Sequence, residues 1–371
     1  MLIGVPKEIK NHEYRVGITP AGVKALVTKG HHVIVQHLAG DVIGLTDELY
    51  RQAGATIINS AKAIYDQAEL IVKVKEPQAQ ERQWLKPDQI LFAYLHLAAD
   101  KQQTQDLLDS GATCIAYETV TDKNGGLPLL APMSEIAGKL SIQMGCSALQ
   151  NHQGGKGILL GGVPGVAPAK VIVLGGGAAG EQAARVAMGL GAETTVLDIA
   201  LPRLRQLDTH FGPELTTVFA SQYNIEQAIS TADLVVGAVL IPGASAPKLI
   251  TKQMLSKMKP ASVLVDLAID QGGCFETSKP TTHDNPTYIE QGIIHYCVTN
   301  MPGAVAQTAT YALTNATHPF LLALAEKGVI EAVTSNMYLR EGVAIHQGKL
   351  IHESVAKSHN VDNHTFEQIF N

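Results

Sequence analysis

Aromatic residues are scarce in this chain. They make up 5% of its 371 residues, and Trp84 is the single tryptophan. The apolar mass is therefore Val, Ile, Leu and Ala, the mixture that fills buried parallel strands and the helices over them. Cysteine is sparse too: Cys114, Cys146, Cys274 and Cys297 stand apart, with no C-x-x-C pair and no zinc spacing. That excludes a disulfide-stapled scaffold and gives no reason to expect a metal. Positive charge is not in excess, the net charge being -6 and the pI near 6.2, so a nucleic-acid surface is not expected. Long apolar runs are missing as well. The most apolar stretch, 158–177, is interrupted by Pro164, Pro168 and Lys170, where a membrane span needs about 20 mostly apolar residues. The opening MLIGVPKEIKNHEYRVG has no apolar core or cleavage site of a secretory leader, and a cytoplasmic location is the expectation.

What is present is alternation. Apolar runs at 2–5, 32–35, 55–58, 70–74, 90–94 and 113–116 read as strands, with helices expected at 20–28, 47–53, 61–67 and 101–108. A long helix follows at 133–151, with Pro132 just ahead of it. A glycine-rich connection then runs from Gly154 to Pro168. It is not a Walker phosphate loop, because Gly157 rather than Ser or Thr follows Lys156. A second alternation has strands at 170–174, 194–197, 216–219, 234–236, 262–265 and 293–297, and helices at 179–190, 201–209, 225–230 and 251–258. From Val305 the pattern reads as helical to the end. The expected fold class is α/β: two Rossmann-like, doubly wound parallel-sheet domains with an active-site cleft between them. The length agrees, at roughly 100–200 residues per domain.

The sharpest motif is Val171-Ile-Val-Leu-Gly175-Gly-Gly177-Ala178-Ala179-Gly180. It is G-x-G-x-x-G after a strand and at the start of a helix. Gly175 permits the tight turn, Gly177 lets the backbone approach a pyrophosphate, and Gly180 lets the helix lie close to the sheet. Asp198 ends the next strand about 20 residues on, where a carboxylate accepts ribose hydroxyls and repels a 2′-phosphate. NAD is expected over NADP. Arg203 and Arg205 keep the alternative open, since an arginine there can hold that phosphate.

In an open parallel sheet, ligands sit beyond the carboxyl ends of the strands. Lys75, His96 and Glu118 fall at such ends in the first half. Lys73 shares the face parity of Lys75, which leaves one of the two as a solvated lysine. Glu118 reads equally as an ion-pair partner between strands. Arg15 follows the first strand and can grip a carboxylate with its planar fork. In the second half, Asp266 and Asp270 lie at one strand end, while 239–243 and 298–303 follow two others.

Together these residues resemble the alanine dehydrogenase and pyridine-nucleotide transhydrogenase superfamily. The likeness lies in Gly4-Val-Pro-Lys-Glu-Ile-Lys-Asn, Glu13-Tyr-Arg-Val-Gly-Ile-Thr-Pro and Leu70-Ile-Val-Lys-Val-Lys-Glu-Pro, and covers essentially the whole chain. Asp266-Leu-Ala-Ile-Asp-Gln-Gly-Gly-Cys, Asn300-Met-Pro and Thr310-Tyr-Ala-Leu-Thr-Asn-Ala-Thr resemble its L-alanine dehydrogenase branch. The resemblance implies oxidative deamination of L-alanine with NAD to pyruvate and ammonia. It implies substrate binding by Arg15 and Lys75, and catalysis by His96 and Asp270. Cofactor contacts are implied at Ser134, Gly175, Gly177, Ala178, Ala179, Gly180, Asp198, Arg203, Val239, Leu240, Val298, Asn300 and Met301. A family serine near the adenine falls at Ala220 or Ser221. The resemblance further implies a homo-hexamer and a discontinuous substrate domain, 1–130 with 305–371, around a cofactor domain at 131–304. Two other activities stay open: a saccharopine-type dehydrogenase, and a non-catalytic NAD(H)-binding subunit with a membrane partner.

Overall fold

The structure, a computed structural model, describes residues 1–239 and 246–370. Uncharged runs of Val, Ile and Leu form short strands buried on both faces, as at Ile90–Ala93 and Leu234–Gly237. The first stretch contains β1 (Leu2–Val5), β2 (His32–Gln36), β3 (Thr56–Ile58), β4 (Leu70–Val72), β5 (Ile90–Ala93) and β6 (Thr113–Ala116). Between them run α1 (Pro20–Thr28), α2 (Asp47–Gln52), α3 (Ala61–Gln67), α4 (Ala79–Arg82) and α5 (Lys101–Ser110). Side-chain caps start these helices: Thr19 accepts from the Gly22 amide at 3.3 Å and Asp100 from that of Gln103 at 3.0 Å. The single turn α4 has no apolar period to announce it. The long helix α6 (Ala131–Ala148) begins before Pro132, not after it. Proline fits a first turn because an N–H there has no helical partner.

The second alternation is β7 (Lys170–Leu174), α7 (Ala178–Gly189), β8 (Glu193–Asp198), α8 (Leu201–Phe211), β9 (Leu215–Phe219), α9 (Gln222–Thr231) and β10 (Leu234–Gly237). It continues with β11 (Val263–Asp266), β12 (Thr287–Glu290) and β13 (Ile293–Tyr296). The helix expected at 251–258 is only a tight turn, Gln253–Lys257, closed by three-residue bonds such as Met254 N–H to Thr251 O at 3.1 Å.

After α10 (Ala306–Ser335) and α11 (Met337–Arg340), the chain does not stay helical. It forms β14 (Val343–His346) and β15 (Lys349–Leu350) before α12 (Glu353–His359) and α13 (Phe366–Phe370). The hairpin turns on Gln347 and Gly348, both left-handed at φ 48° and 76°. α10 itself kinks at Gly328, φ 72°.

The first sheet runs β15-β14-β6-β5-β4-β1-β2-β3 and the second β12-β13-β11-β10-β7-β8-β9. Each contains the doubly wound order 3-2-1-4-5-6, with the strand order reversing between β1 and β4 and between β7 and β10, which pair in parallel. Neither is purely parallel, since β14, β15 and β12 add antiparallel edges. The chain forms two compact units: Met1–Met133 with the stretch from Val305 onward, and Ser134–Ala304.

Candidate active site

Within the first unit, the segments after β1 and β4 leave the sheet where its order reverses. Arg15 comes from the first and Lys75 from the second. Both are buried, at 2% and 7% exposure. Arg15 is oriented by Glu13, whose carboxylate accepts from Nε at 2.7 Å and Nη2 at 2.5 Å, while Nη1 donates to Met133 Sδ at 3.1 Å. Burial alone would lower the guanidinium's pKa, but the hydrogen bonds and charge of Glu13 outweigh it and hold it above its ordinary value.

Neither Lys73 nor Lys75 is the solvated lysine expected of the pair. Lys73 is fully buried, with Nζ 3.1 Å from Glu8 and 2.9 Å from Glu81. Burial pulls its pKa down, and the two carboxylates more than restore it, so the ammonium stays charged. The other oxygen of Glu8 accepts from the Val74 and Lys75 amides at 2.7 and 3.3 Å. Lys75 therefore leaves β4 on a backbone fixed from beneath.

His96 follows β5 and is exposed. Its backbone is left-handed, φ 49° and ψ 41°, which costs a residue with a Cβ about 1–2 kcal/mol. Glu118, after β6, is no ion-pair partner in the ladder: its carboxylate accepts from the Leu95 amide at 3.2 Å and the His96 amide at 2.6 Å. The Tyr94 ring lies parallel to the imidazole, centroids 5.9 Å apart, and its hydroxyl donates to Leu129 O.

In the second unit, the glycine turn lies between β7 and α7 at the reversal. Gly175 is left-handed at φ 98°. A Cβ on Gly180 would lie 1.8 Å from Gly175 O, so the helix packs on the turn through glycine alone. Gly177 differs: at φ −65° its backbone suits any residue, and a Cβ there would meet no protein atom within 4 Å. Open space at the start of a twelve-residue helix fits a pyrophosphate. Ala178 and Ala179 form the first turn. Asp198 ends β8, oriented by the Gly176 amide at 2.6 Å and the Ala200 amide at 2.8 Å. Arg203 donates to Gly176 O and to Glu181, each at 2.5 Å, and to Gln206 at 3.2 Å. Ser134 lies in the first turn of α6.

The two acids after β11 separate. Asp266 is fully buried and anchors the loop by accepting from the Ala268 and Cys274 amides at 2.9 Å and from the Ser278 hydroxyl. Lys248 donates to the carbonyls of Gly272 and Gly273 at 2.5 and 2.7 Å. Asp270, between these anchors, is exposed. After β13, Val298 and Met301 are buried and Asn300 is left-handed at φ 59°. Val239 follows β10; Leu240 lies outside the described residues. The Ser221 hydroxyl caps α9, accepting from the Asn224 amide at 3.1 Å, and the Ala220 amide donates to Asp198 O.

Sequence reasoning missed Glu8, Glu13, Glu81 and Lys248. The signal available was position, since all three acids follow a strand's carboxyl end; Glu13 and Glu81 pair within their own segments, with Arg15 and Lys73, and only Glu8 has a partner from a distant one. No helix among the described residues is long and apolar enough to cross a membrane.

Family models described as "Alanine dehydrogenase/PNT, N-terminal domain" and "Alanine dehydrogenase/PNT, C-terminal domain" match residues 4–137 and 141–353. The chain is 59% identical to the alanine dehydrogenase of Halomonas elongata, over 96% of each. It is 51% identical to that of Bacillus subtilis, over 96% of this chain and 94% of the relative. A solved L-alanine dehydrogenase superposes with TM-score 0.93 at 48% identity, over 96% of this chain and 99% of the other. A transhydrogenase structure from Sinorhizobium meliloti shares the fold, with TM-score 0.83 at 24% identity. The chain belongs to the alanine dehydrogenase and pyridine-nucleotide transhydrogenase family.

Proposed function

We propose that this chain catalyses the reversible, NAD-dependent oxidative deamination of L-alanine to pyruvate and ammonia. The observation that carries the reading is near-full-length identity of 51–59% to proteins named alanine dehydrogenase. The residues that would hold the nucleotide are those of the second unit: Gly175 to Gly180 at the pyrophosphate, Asp198 at the adenine ribose, and Ser134, Val239, Leu240, Val298, Asn300 and Met301 along its length. Asp198 at the end of β8 supports NAD over NADP, because a carboxylate there accepts ribose hydroxyls and repels a 2′-phosphate. When bound, the nicotinamide supplies hydride-transfer chemistry.

The chain's own work is to bind, orient and move protons. Arg15, held rigid by Glu13, grips the substrate carboxylate through charge-assisted hydrogen bonds. Lys75 donates to the carbonyl or carbinol oxygen, so the carbon that gains or loses hydrogen is fixed in one orientation. His96 takes and returns the protons needed to add water to the imine of alanine and expel ammonia, and Asp270 holds the water and the amine. The family likeness also supports a cytoplasmic homo-hexamer that acts on small molecules.

Incubation of the protein with L-alanine and NAD tests this. Pyruvate, ammonia and NADH should appear in equal amounts, and NADH formation without pyruvate would contradict the reading. At the site, His96→Ala should lose about 10²–10⁴-fold in turnover. Asp270→Asn should bind NADH and fail to turn over; lost NADH binding would make it a cofactor residue instead.

A further inference from the structure

We propose that Glu118 is a positioning residue for His96, acting by hydrogen-bond reach to the backbone and not by charge. The proposal rests on the acid–base role of His96 given above. The last paired residues of β5 and β6 are Ala93 and Ala116. Beyond them the ladder stops, and the consecutive amides of Leu95 and His96 turn toward one point. Successive N–H groups that converge beside a left-handed residue form an anion-binding concavity. The Glu118 carboxylate fills it, accepting from Leu95 with both oxygens at 3.2 Å and from His96 with Oε1 at 2.6 Å.

The rest of the turn is clamped on its other side. Gln103, buried in α5, donates to Leu95 O at 2.5 Å, and the Ala99 amide donates to His96 O at 3.0 Å. His359, the last residue of α12, contacts Leu97 O at 2.7 Å. His96 thus holds a conformation that a residue with a Cβ rarely adopts, and among the described residues Glu118 is the side chain that fixes its amide. Release of that amide frees the turn to relax toward right-handed backbone, which swings the imidazole away.

Two conservative variants separate reach from charge. Glu118→Gln keeps the chain length and one acceptor oxygen; Glu118→Asp keeps the charge but is one methylene short. Positioning by reach predicts that Asp loses at least about tenfold in kcat for NADH oxidation with pyruvate and ammonia, that Gln loses less, and that KM for pyruvate moves less than about threefold for both. In a His96→Ala background the same changes should cost less than about twofold, because their effect runs through the absent imidazole. NADH affinity, read by fluorescence, should be unchanged and reports that the variants fold. Native activity in Glu118→Asp, or a loss undiminished in the His96→Ala background, would overturn the proposal. Near-native turnover of His96→Ala itself would remove the acid–base reading, and the positioning role with it.

Discussion

Two glycines of the nucleotide turn should both lose NADH affinity on gaining a methyl, but only one of them should also lose stability. In Gly180→Ala the new Cβ would lie 1.8 Å from Gly175 O and 2.9 Å from Gly175 C, where ordinary contact begins at 3.4 Å. Both are backbone atoms, so α7 must lift from the turn. Overpacking of this kind costs about 1–3 kcal/mol, and the same displacement moves the helix amides from the phosphate site. Stability should fall by that amount, and NADH affinity should fall with it. In Gly177→Ala the methyl meets no protein atom within 4 Å and the backbone is unstrained, so stability should stay within about 0.5 kcal/mol. Affinity should still fall by at least about tenfold, because the methyl occupies the space through which a pyrophosphate approaches the backbone. Urea denaturation gives the first quantity and NADH fluorescence titration the second. Unchanged NADH affinity in Gly177→Ala would refute the claim that this open space is the phosphate cradle.

Lys73→Met leaves Glu8 and Glu81 buried without their cation, so urea denaturation should show a loss of about 3–5 kcal/mol; a loss under about 1 kcal/mol would contradict the buried triad. Burial pushes the Cys114 thiol up to about 12 and that of Cys297 up to about 11, and raises that of Cys274 well above its ordinary value. Near pH 8 the folded protein should therefore react with a thiol reagent at Cys146 alone, the half-buried one. Asp233 is held below its ordinary pKa of 3.8: burial would raise it, but the Lys170 amide and the ammonium groups of Lys259 and Lys156 outweigh that. Its contribution is complete above 3.8 and is lost as pH falls through the lower folded value. Asp233→Asn should accordingly flatten the fall of the melting temperature in acid, and parallel acid slopes for the two proteins would refute this.

The strand-end rule made the candidate site readable from sequence, because Arg15, Lys75, His96, Asp198 and Asp270 each follow a recognisable apolar run. Of the carboxylates that hold them, Glu118 stood at a strand end and was readable as a candidate, while Glu8 was not. Glu8 sits in Lys7-Glu-Ile-Lys and looks solvated, yet its partner Lys73 lies 65 residues on. Burial of an ion pair is a property of packing, which no local pattern encodes. Asp266 and Asp270 share one segment, and only their hydrogen bonds distinguish the anchor from the exposed acid. In the fold, β14 and β15 escaped notice because Val343-Ala-Ile-His is four residues long and the Gln-Gly turn lacks the Asn or Asp that usually marks a left-handed hairpin. Antiparallel pairing with β6 then decides the conformation that the segment alone leaves open.

The most direct test of the account is NADH oxidation with one component omitted at a time. The reading predicts a rate that requires pyruvate and ammonia together and is not supported by 2-oxoglutarate with lysine. Oxidation with the latter pair, or binding of NADH with no turnover on pyruvate and ammonia, would contradict it.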